Sequence, residues 1–219
     1  SPYGVRVHER FSLRRLPEEV RPHVWPMDEG SQAVALALEV QAGERVLDLC
    51  AGGGGKTRLL LTLGAQVIAV DPDKGRLTAV KHRSAAEAGL ACVRADGRSS
   101  PFLDGRFDKV LVDAPCSGTG TLRRAPDVVH RFDPRTLSSL ARLQEDLVVA
   151  AARLVRPGGR VVYATCSLLP EENIRVIEAV RSSAESLRES GLPRELLPSE
   201  HGCDGFFVTT FERLSVPAT

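Results

Sequence analysis

Two cysteines stand in polar, turn-rich segments that directly follow apolar, strand-like runs. Cys116 lies in Asp113-Ala-Pro-Cys-Ser-Gly-Thr-Gly, and Cys166 lies in Ala164-Thr-Cys-Ser. A free thiol has a pKa of about 8.5 and is intrinsically very nucleophilic, so it suits reversible addition to an electron-poor ring carbon. Methylation at C5 of cytosine needs such an addend, because C5 alone is a poor nucleophile. A thiolate that adds to C6 leaves an enamine whose C5 can attack a methylsulfonium. The C5 proton then departs and the thiolate is eliminated. A group that protonates or hydrogen-bonds N3 favours the addition, and Asp113 is placed for that role. Cys50, Cys92 and Cys203 read as core or structural residues, since buried free cysteine is common.

A second constellation suits a nucleoside cofactor. Asp48-Leu-Cys-Ala-Gly-Gly-Gly-Gly-Lys-Thr sits between a strand-like and a helix-like run. Consecutive glycines allow close approach to backbone, and a helix start supplies free N–H donors. The segment is not a phosphate-binding P-loop, because Cys50 occupies the place of that motif's first glycine. A strict dinucleotide fingerprint also fails, with Thr57 where its third glycine would fall. Asp71 follows Gly55 by 16 residues, at the end of the next strand, where an acid can hold both ribose hydroxyls. Asp96 ends the third strand and could reach an adenine amino group.

These residues need a scaffold that gathers them. Short β-branched runs at residues 45–49, 66–70, 91–95, 107–112 and 160–164 alternate with helical patterns at 56–63, 74–88 and 137–155. A further helix is expected over 31–39. Pro157-Gly158-Gly159 should stop the long helix, and Pro170-Glu171-Glu172 should open another, with acids in its first turn. Residues 194–197 and 206–211 read as two more strands, the second antiparallel. The alternation predicts an α/β fold, a mostly parallel seven-stranded sheet with helices on both faces. Ligands then bind beyond the carboxyl ends of the strands, where the glycine loop, Asp71, Asp96, Asp113, Cys116 and Cys166 should gather. Residues 1–40 are expected to form a lead-in segment with one helix, and 41–219 the domain.

Composition narrows the setting. The 219 residues suit one domain, and 42% are apolar, enough for a substantial core. No apolar run long enough to span a membrane occurs, and the first residues do not resemble a signal peptide. The chain begins without Met, as a trimmed or excised domain would. The five cysteines are odd in number and show no C-x-x-C pair, which argues against a disulfide framework and a metal site and for a reducing, cytoplasmic setting. Net charge is only +1, but residues 121–142 carry five arginines against two acids. Arg123, Arg124 and Arg131 are therefore candidate contacts to a nucleic-acid backbone.

The chain resembles the NOL1/NOP2/Sun (Fmu) family of RNA 5-methylcytosine methyltransferases from about Val24 to Arg213. The resemblance rests on Met27-Asp-Glu-Gly-Ser-Gln, the glycine loop with Lys56, Asp71 with Arg76-Leu77, Asp96, the segment 113–120, Pro126-Asp127, Thr165-Cys166-Ser167, Pro170-Glu-Glu-Asn173 and Asp204-Gly-Phe-Phe207. It implies a Rossmann-like class I methyltransferase fold, with S-adenosylmethionine as cofactor and RNA, ribosomal RNA first, as substrate. It also implies Cys166 as nucleophile and Cys116 as the thiol that assists release. Cofactor contacts would come from Cys50, Ala51, Gly52, Gly53, Gly54, Gly55, Lys56, Asp71, Arg76, Asp96 and Asp113. The residues alone do not rank the thiols, because DNA cytosine methyltransferases use a cysteine in a Pro-Cys element like that of Cys116. DNA methylation, or a non-catalytic RNA-binding assembly role, are the competing readings. A monomer is expected, with a separate RNA-binding domain or partner as a possible complement. Two departures stand out: Gly52-Gly53 replaces the family's Ala-Pro, which predicts a looser loop, and His130 stands where tryptophan is frequent.

Overall fold

The computed structural model describes residues 3–7 and 12–215. Residues 1–2 and 216–219, the ends of the expected lead-in and domain, lie outside the described residues. A helix α1 (Glu29–Leu36) precedes the alternation β1 (Arg45–Asp48), α2 (Gly55–Thr62), β2 (Gln66–Val70), α3 (Lys74–Arg83), β3 (Leu90–Val93) and β4 (Phe107–Asp113). A short helix α4 (Val128–Arg131), the long α5 (Leu137–Leu154), β5 (Val155–Thr165), α6 (Ile174–Ser183), β6 (Leu187–Glu189), β7 (Arg194–Leu196), α7 (Pro198–His201) and β8 (Phe206–Arg213) follow.

The strands form one sheet in the order β3-β2-β1-β4-β5-β8-β6, with β7 also paired to β8. β1 to β5 pair in parallel, and β8 runs antiparallel to β5. The sheet has eight strands rather than seven. Three-residue β6 was missed because a strand that short carries no readable alternation.

Strand residues alternate between two apolar layers, as period-two side chains require. On one face Leu47, Val110, Val112, Val161 and Tyr163 pack with Leu147, Val148, Ala151 and Leu154 of α5 and Val176, Ile177 and Val180 of α6. On the other, Val46, Leu111, Val162 and Ala164 pack with Val34 and Ala35 of α1 and with Leu59, Leu60 and Leu61 of α2. Cores on both faces explain why these strands are almost continuously apolar. Among the described residues, no helix is long and apolar enough to cross a membrane.

Two local expectations change. α5 ends at Leu154, before the Pro-Gly-Gly, and passes directly into β5, because Val155 already adopts extended backbone. Pro157-Gly158-Gly159 instead forms an irregularity within β5, where the partner register jumps from Phe107↔Val155 to Lys109↔Arg160. Pro170–Glu172 is a separate 3-10 turn, and α6 begins only at Ile174, after Asn173 leaves helical geometry. At this break the side chains of Glu172 and Asn173 are bonded within the site.

Candidate active site

The register Asp113↔Ala164 aligns the carboxyl ends of β4 and β5, so the two cysteine loops leave the sheet side by side. Cys116 Sγ and Cys166 Sγ stand 3.4 Å apart, within sulfur hydrogen-bonding distance. Their environments differ. Cys166 sits near Lys56, and a hydrogen bond from Cys116 holds its thiol below the usual value. Donation to Cys166, together with burial and the nearby Glu172, pushes the Cys116 thiol well up. The pair therefore favours thiolate on Cys166 and thiol on Cys116.

Two adjacent side chains brace the two loops. Glu172 is wholly buried, and its carboxylate accepts from Ser117 N (2.8 Å), Ser117 Oγ and Gln144 Nε2 (3.1 Å). Gln144 Nε2 also donates to Pro115 O (2.9 Å), tying α5 to the Cys116 loop. Asn173 secures the other loop: Thr165 Oγ1 donates to Asn173 Oδ1 (2.6 Å), and Asn173 Nδ2 donates to Ser167 O (2.9 Å). Tyr163, buried in β5, donates its hydroxyl to the Glu172 carbonyl. From sequence Glu171 and Glu172 read as first-turn acids of a helix. The Pro-Glu-Glu-Asn run was visible, but its partners lie up to 55 positions away.

A backbone ladder closes the site from the β8 side. Gly120 N donates to Cys166 O (2.9 Å), and Gly205 N donates to Gly120 O (2.8 Å). Asp204 is wholly buried beside this contact, and its N–H donates to Asp28, the residue capping α1. Asp204 pairs with Arg124 (2.8 Å) and Arg123 (3.4 Å), and Arg123 also reaches Asp28 (3.4 Å). The two arginines expected to be free for phosphate thus hold a buried acid, although both remain partly exposed. Arg131 pairs with Asp127 (2.9 Å) and Arg135 with Asp133 (2.8 Å). The cluster is more neutralised than its own stretch of sequence shows, because Asp28 and Asp204 come from distant segments. His130 is exposed. Beside Cys116 lies a cavity of about 230 Å³, lined by Ser117, Val128, Arg131, Phe132, Thr136 and Leu140 among others.

Lys56, at the start of α2, joins the glycine loop to the thiols. Its Nζ donates to Asp113 Oδ2 (2.6 Å) and Ser31 Oγ (3.3 Å), and it stands 5.2 Å from the Phe206 ring centroid. Asp113 is thus engaged as an acceptor. In the loop, Gly52 and Gly54 have left-handed φ of 53° and 82°. A Cβ at Gly55 would meet nothing within 4 Å, so open space lies over the loop. Asp71 is buried at the end of β2, accepts from Gly52 N (3.0 Å) and Asp73 N (2.8 Å), and has Arg76 at 3.7 Å. Asp96 bonds Arg98 (2.6 Å) and stays partly exposed. Cys50 packs against the core, and burial pushes its thiol well up. Ala51 N bonds Val70 O (2.9 Å). Next to Gly52, Arg83 Nη1 donates to Gly53 O (2.6 Å) and fills the space a Cβ there would take. Among the described residues, no cluster of three or more His, Cys, Asp or Glu could hold a metal ion.

Asp48, under this loop, gives a pH signature. Its Oδ2 accepts from Thr57 Oγ1 (2.6 Å), and burial pushes its carboxyl up to about 6. Between roughly pH 4 and 6 the folded state then binds more protons here than the unfolded state. This group's stabilisation is therefore greatest below its unfolded value and falls as pH rises through 6. The loss is at most about 3 kcal/mol, at about 1.4 kcal/mol per pKa unit. Asp48→Asn should gain stability relative to the parent chain between pH 4.5 and pH 7 in urea titrations, bounds set by about these pKa values. A constant difference would show that Asp48 does not titrate in that window.

Comparison with known proteins places this arrangement. The model of the family described as 16S rRNA methyltransferase RsmB/F matches residues 35–212. The ribosomal RNA small subunit methyltransferase B of Enterobacter sp. (strain 638) is 39% identical over 217 residues, covering 94% of this chain and 51% of that protein. The chain thus spans about half the length of the curated relatives it matches. The crystal structure of NSun6 from Pyrococcus horikoshii with SFG superposes with a TM-score of 0.83 at 26% identity, over 94% of this chain and 57% of that one. A methyltransferase homolog protein from Pyrococcus horikoshii gives 0.80 at 28% identity, over 94% and 73%. With a family match that takes in β1 through β8, both cysteine loops and the glycine loop, this chain belongs to the RsmB/F family of 16S rRNA methyltransferases.

Proposed function

We propose that this chain transfers a methyl group from S-adenosylmethionine to C5 of a cytosine in RNA, with ribosomal RNA of the small subunit as substrate class. The observation that carries the reading is the pair of thiols 3.4 Å apart at the ends of β4 and β5, beside a lysine that reaches back to the glycine loop. The open loop and the acid at the end of β2 fit a nucleoside cofactor without a pyrophosphate. S-adenosylmethionine, when bound, supplies an electrophilic methyl on a sulfonium.

In this reading residues 50–56, Asp71, Arg76 and Asp96 hold the cofactor. Cys166 Sγ adds to C6 of a cytosine turned out of its stack. Asp113, engaged by Lys56 as an acceptor, accepts from the N4 amino group and, once the ring has taken a proton from water at N3 on addition, from N3–H, and that proton is given back when the ring is restored. Once Cys166 is bound as a neutral thioether, its negative charge no longer opposes ionisation of Cys116. Once C5 carries the methyl group, Cys116 gives its own proton to water and, as thiolate, takes the C5 proton, after which the C6–S bond breaks, Cys166 leaves as thiolate and the ring is restored. Arg123, Arg124 and Arg131 keep enough exposure to touch phosphate at the edge of the site. Their ion pairs weaken that grip, so a further RNA-binding unit or partner complements it. The reading includes action as a cytoplasmic monomer.

The test is nucleoside mass spectrometry of small-subunit ribosomal RNA incubated with the protein and isotopically labelled S-adenosylmethionine. Label in 5-methylcytosine is the expected result. Label in another nucleoside, or in cytosine of duplex DNA only, would replace this reading.

A further inference from the structure

We infer that Glu172 assigns the roles of the two thiols: its buried carboxylate, fastened to the Cys116 loop, keeps the proton on Cys116 and leaves the negative charge to Cys166. The inference rests on the reading of both cysteines as catalytic thiols and adds the group that distinguishes them.

The two sulfurs are otherwise similar. Both lie in loops leaving neighbouring parallel strands, both are partly buried, and they contact each other. Two thiols this close share one negative charge, and the surrounding field decides where it rests. Cys116 contacts Cys166, and its neighbours in the loop are fastened to the Glu172 carboxylate, Ser117 directly and Pro115 through Gln144. Cys166 faces Cys116, Lys56 and Asp113, with Arg124 farther out. Lys56 and Asp113 are bonded to each other, so their fields at Cys166 largely offset. Glu172 has no cation among its hydrogen-bond partners, which are Ser117 N, Ser117 Oγ and Gln144 Nε2. These neutral donors fit a carboxylate, which only accepts. Its charge is therefore uncompensated on the Cys116 side, in a buried place where charge interactions are strong. A glutamate with no exposure, next to the thiol that must give up its proton last, is costly to bury and serves as more than a bracket for the loop. Glu172 is a positioning residue, since it acts through Cys116.

The test reads the protein without RNA. Iodoacetamide alkylation of each cysteine is followed by peptide mass mapping over about pH 6 to 9, the range where thiols ionise. In the parent chain Cys166 should react first. Glu172→Gln keeps the shape and the acceptor for Ser117 but removes the charge. The Cys166:Cys116 rate ratio should fall by about tenfold, the change that one pKa unit makes. Ser117→Ala keeps the charge but removes a donor that partly offsets it, and the ratio should rise. It carries the test if Glu172→Gln does not fold. An unchanged ratio in folded Glu172→Gln, or an unchanged or lower one in Ser117→Ala, overturns the inference. Cys116 reacting first in the parent chain would instead overturn the proposed order of the thiols.

Discussion

Cys116→Ala protein mixed with RNA and S-adenosylmethionine should stall as a covalent protein–RNA species that survives a denaturing gel, while Cys166→Ala should form none. The two sulfurs lie 3.4 Å apart, yet in the proposed reaction their removal should affect opposite ends. Without Cys166 no addend reaches C6, and C5 stays a poor nucleophile. Methyl transfer should fall by about 10⁴-fold or more, as when other enzymes lose their nucleophile. Without Cys116, addition and methylation proceed, but the C5 proton lacks its acceptor. Turnover should fall by about 10²- to 10⁴-fold, the usual contribution of a general base, and the adduct should carry the methyl group. An adduct in Cys166→Ala and none in Cys116→Ala would reverse the two roles.

The second large effect is expected from a single methyl group. A Cβ at Gly120 would lie 2.8 Å from the Gly205 carbonyl carbon and 2.9 Å from its Cα, with the carbonyl oxygen closer still. These are backbone atoms, so no side chain can swing aside. Gly120→Ala must push the Cys116 loop away from Gly205 and strain the bonds to Cys166 O and from Gly205 N. The overpacking should cost about 1–3 kcal/mol of stability. Displacing one thiol from the other by about 1 Å should cost on the order of 10²-fold in methyl transfer. Thermal unfolding and a labelled-methyl assay on the same preparation separate the two losses. A chain that keeps both stability and activity would mean that this contact does not set the thiol geometry.

Much of the framework was legible because it is local. The apolar runs that became β1 through β5, and the amphipathic 137–155 pattern that became α5, each carry their signal within one window. The strand ends then placed Asp71, Asp113, Cys116 and Cys166 on one edge, and β4 and β5 proved to be neighbours. What escaped was the set of side chains that bond across the fold. Glu172 was read as a helix-opening acid because its partners, Ser117 and Gln144, are brought near only by the sheet and α5. Arg123 and Arg124 looked unopposed because Asp28 and Asp204 lie 95 and 80 positions away, respectively. Lys56 was assigned to the cofactor through its family, and its bond to Asp113 could be found only in three dimensions. The bond from Arg83 to Gly53 O was out of view for the same reason, since Arg83 is 30 positions distant.

β8 has a consequence for how the protein is made. It lies between β5 and β6, and Asp204 and Gly205 ahead of it and Phe206 at its start border the site. Synthesis proceeds from the N-terminus at about 5–20 residues per second, so both thiols leave the ribosome before the segment that closes around them. Until that segment docks, the Cys116 loop lacks the Gly120–Gly205 contact, and β4, β5, Glu172 and Asn173 alone hold the two loops. The backing of the Cys116 loop is therefore completed late, with the docking of one antiparallel strand.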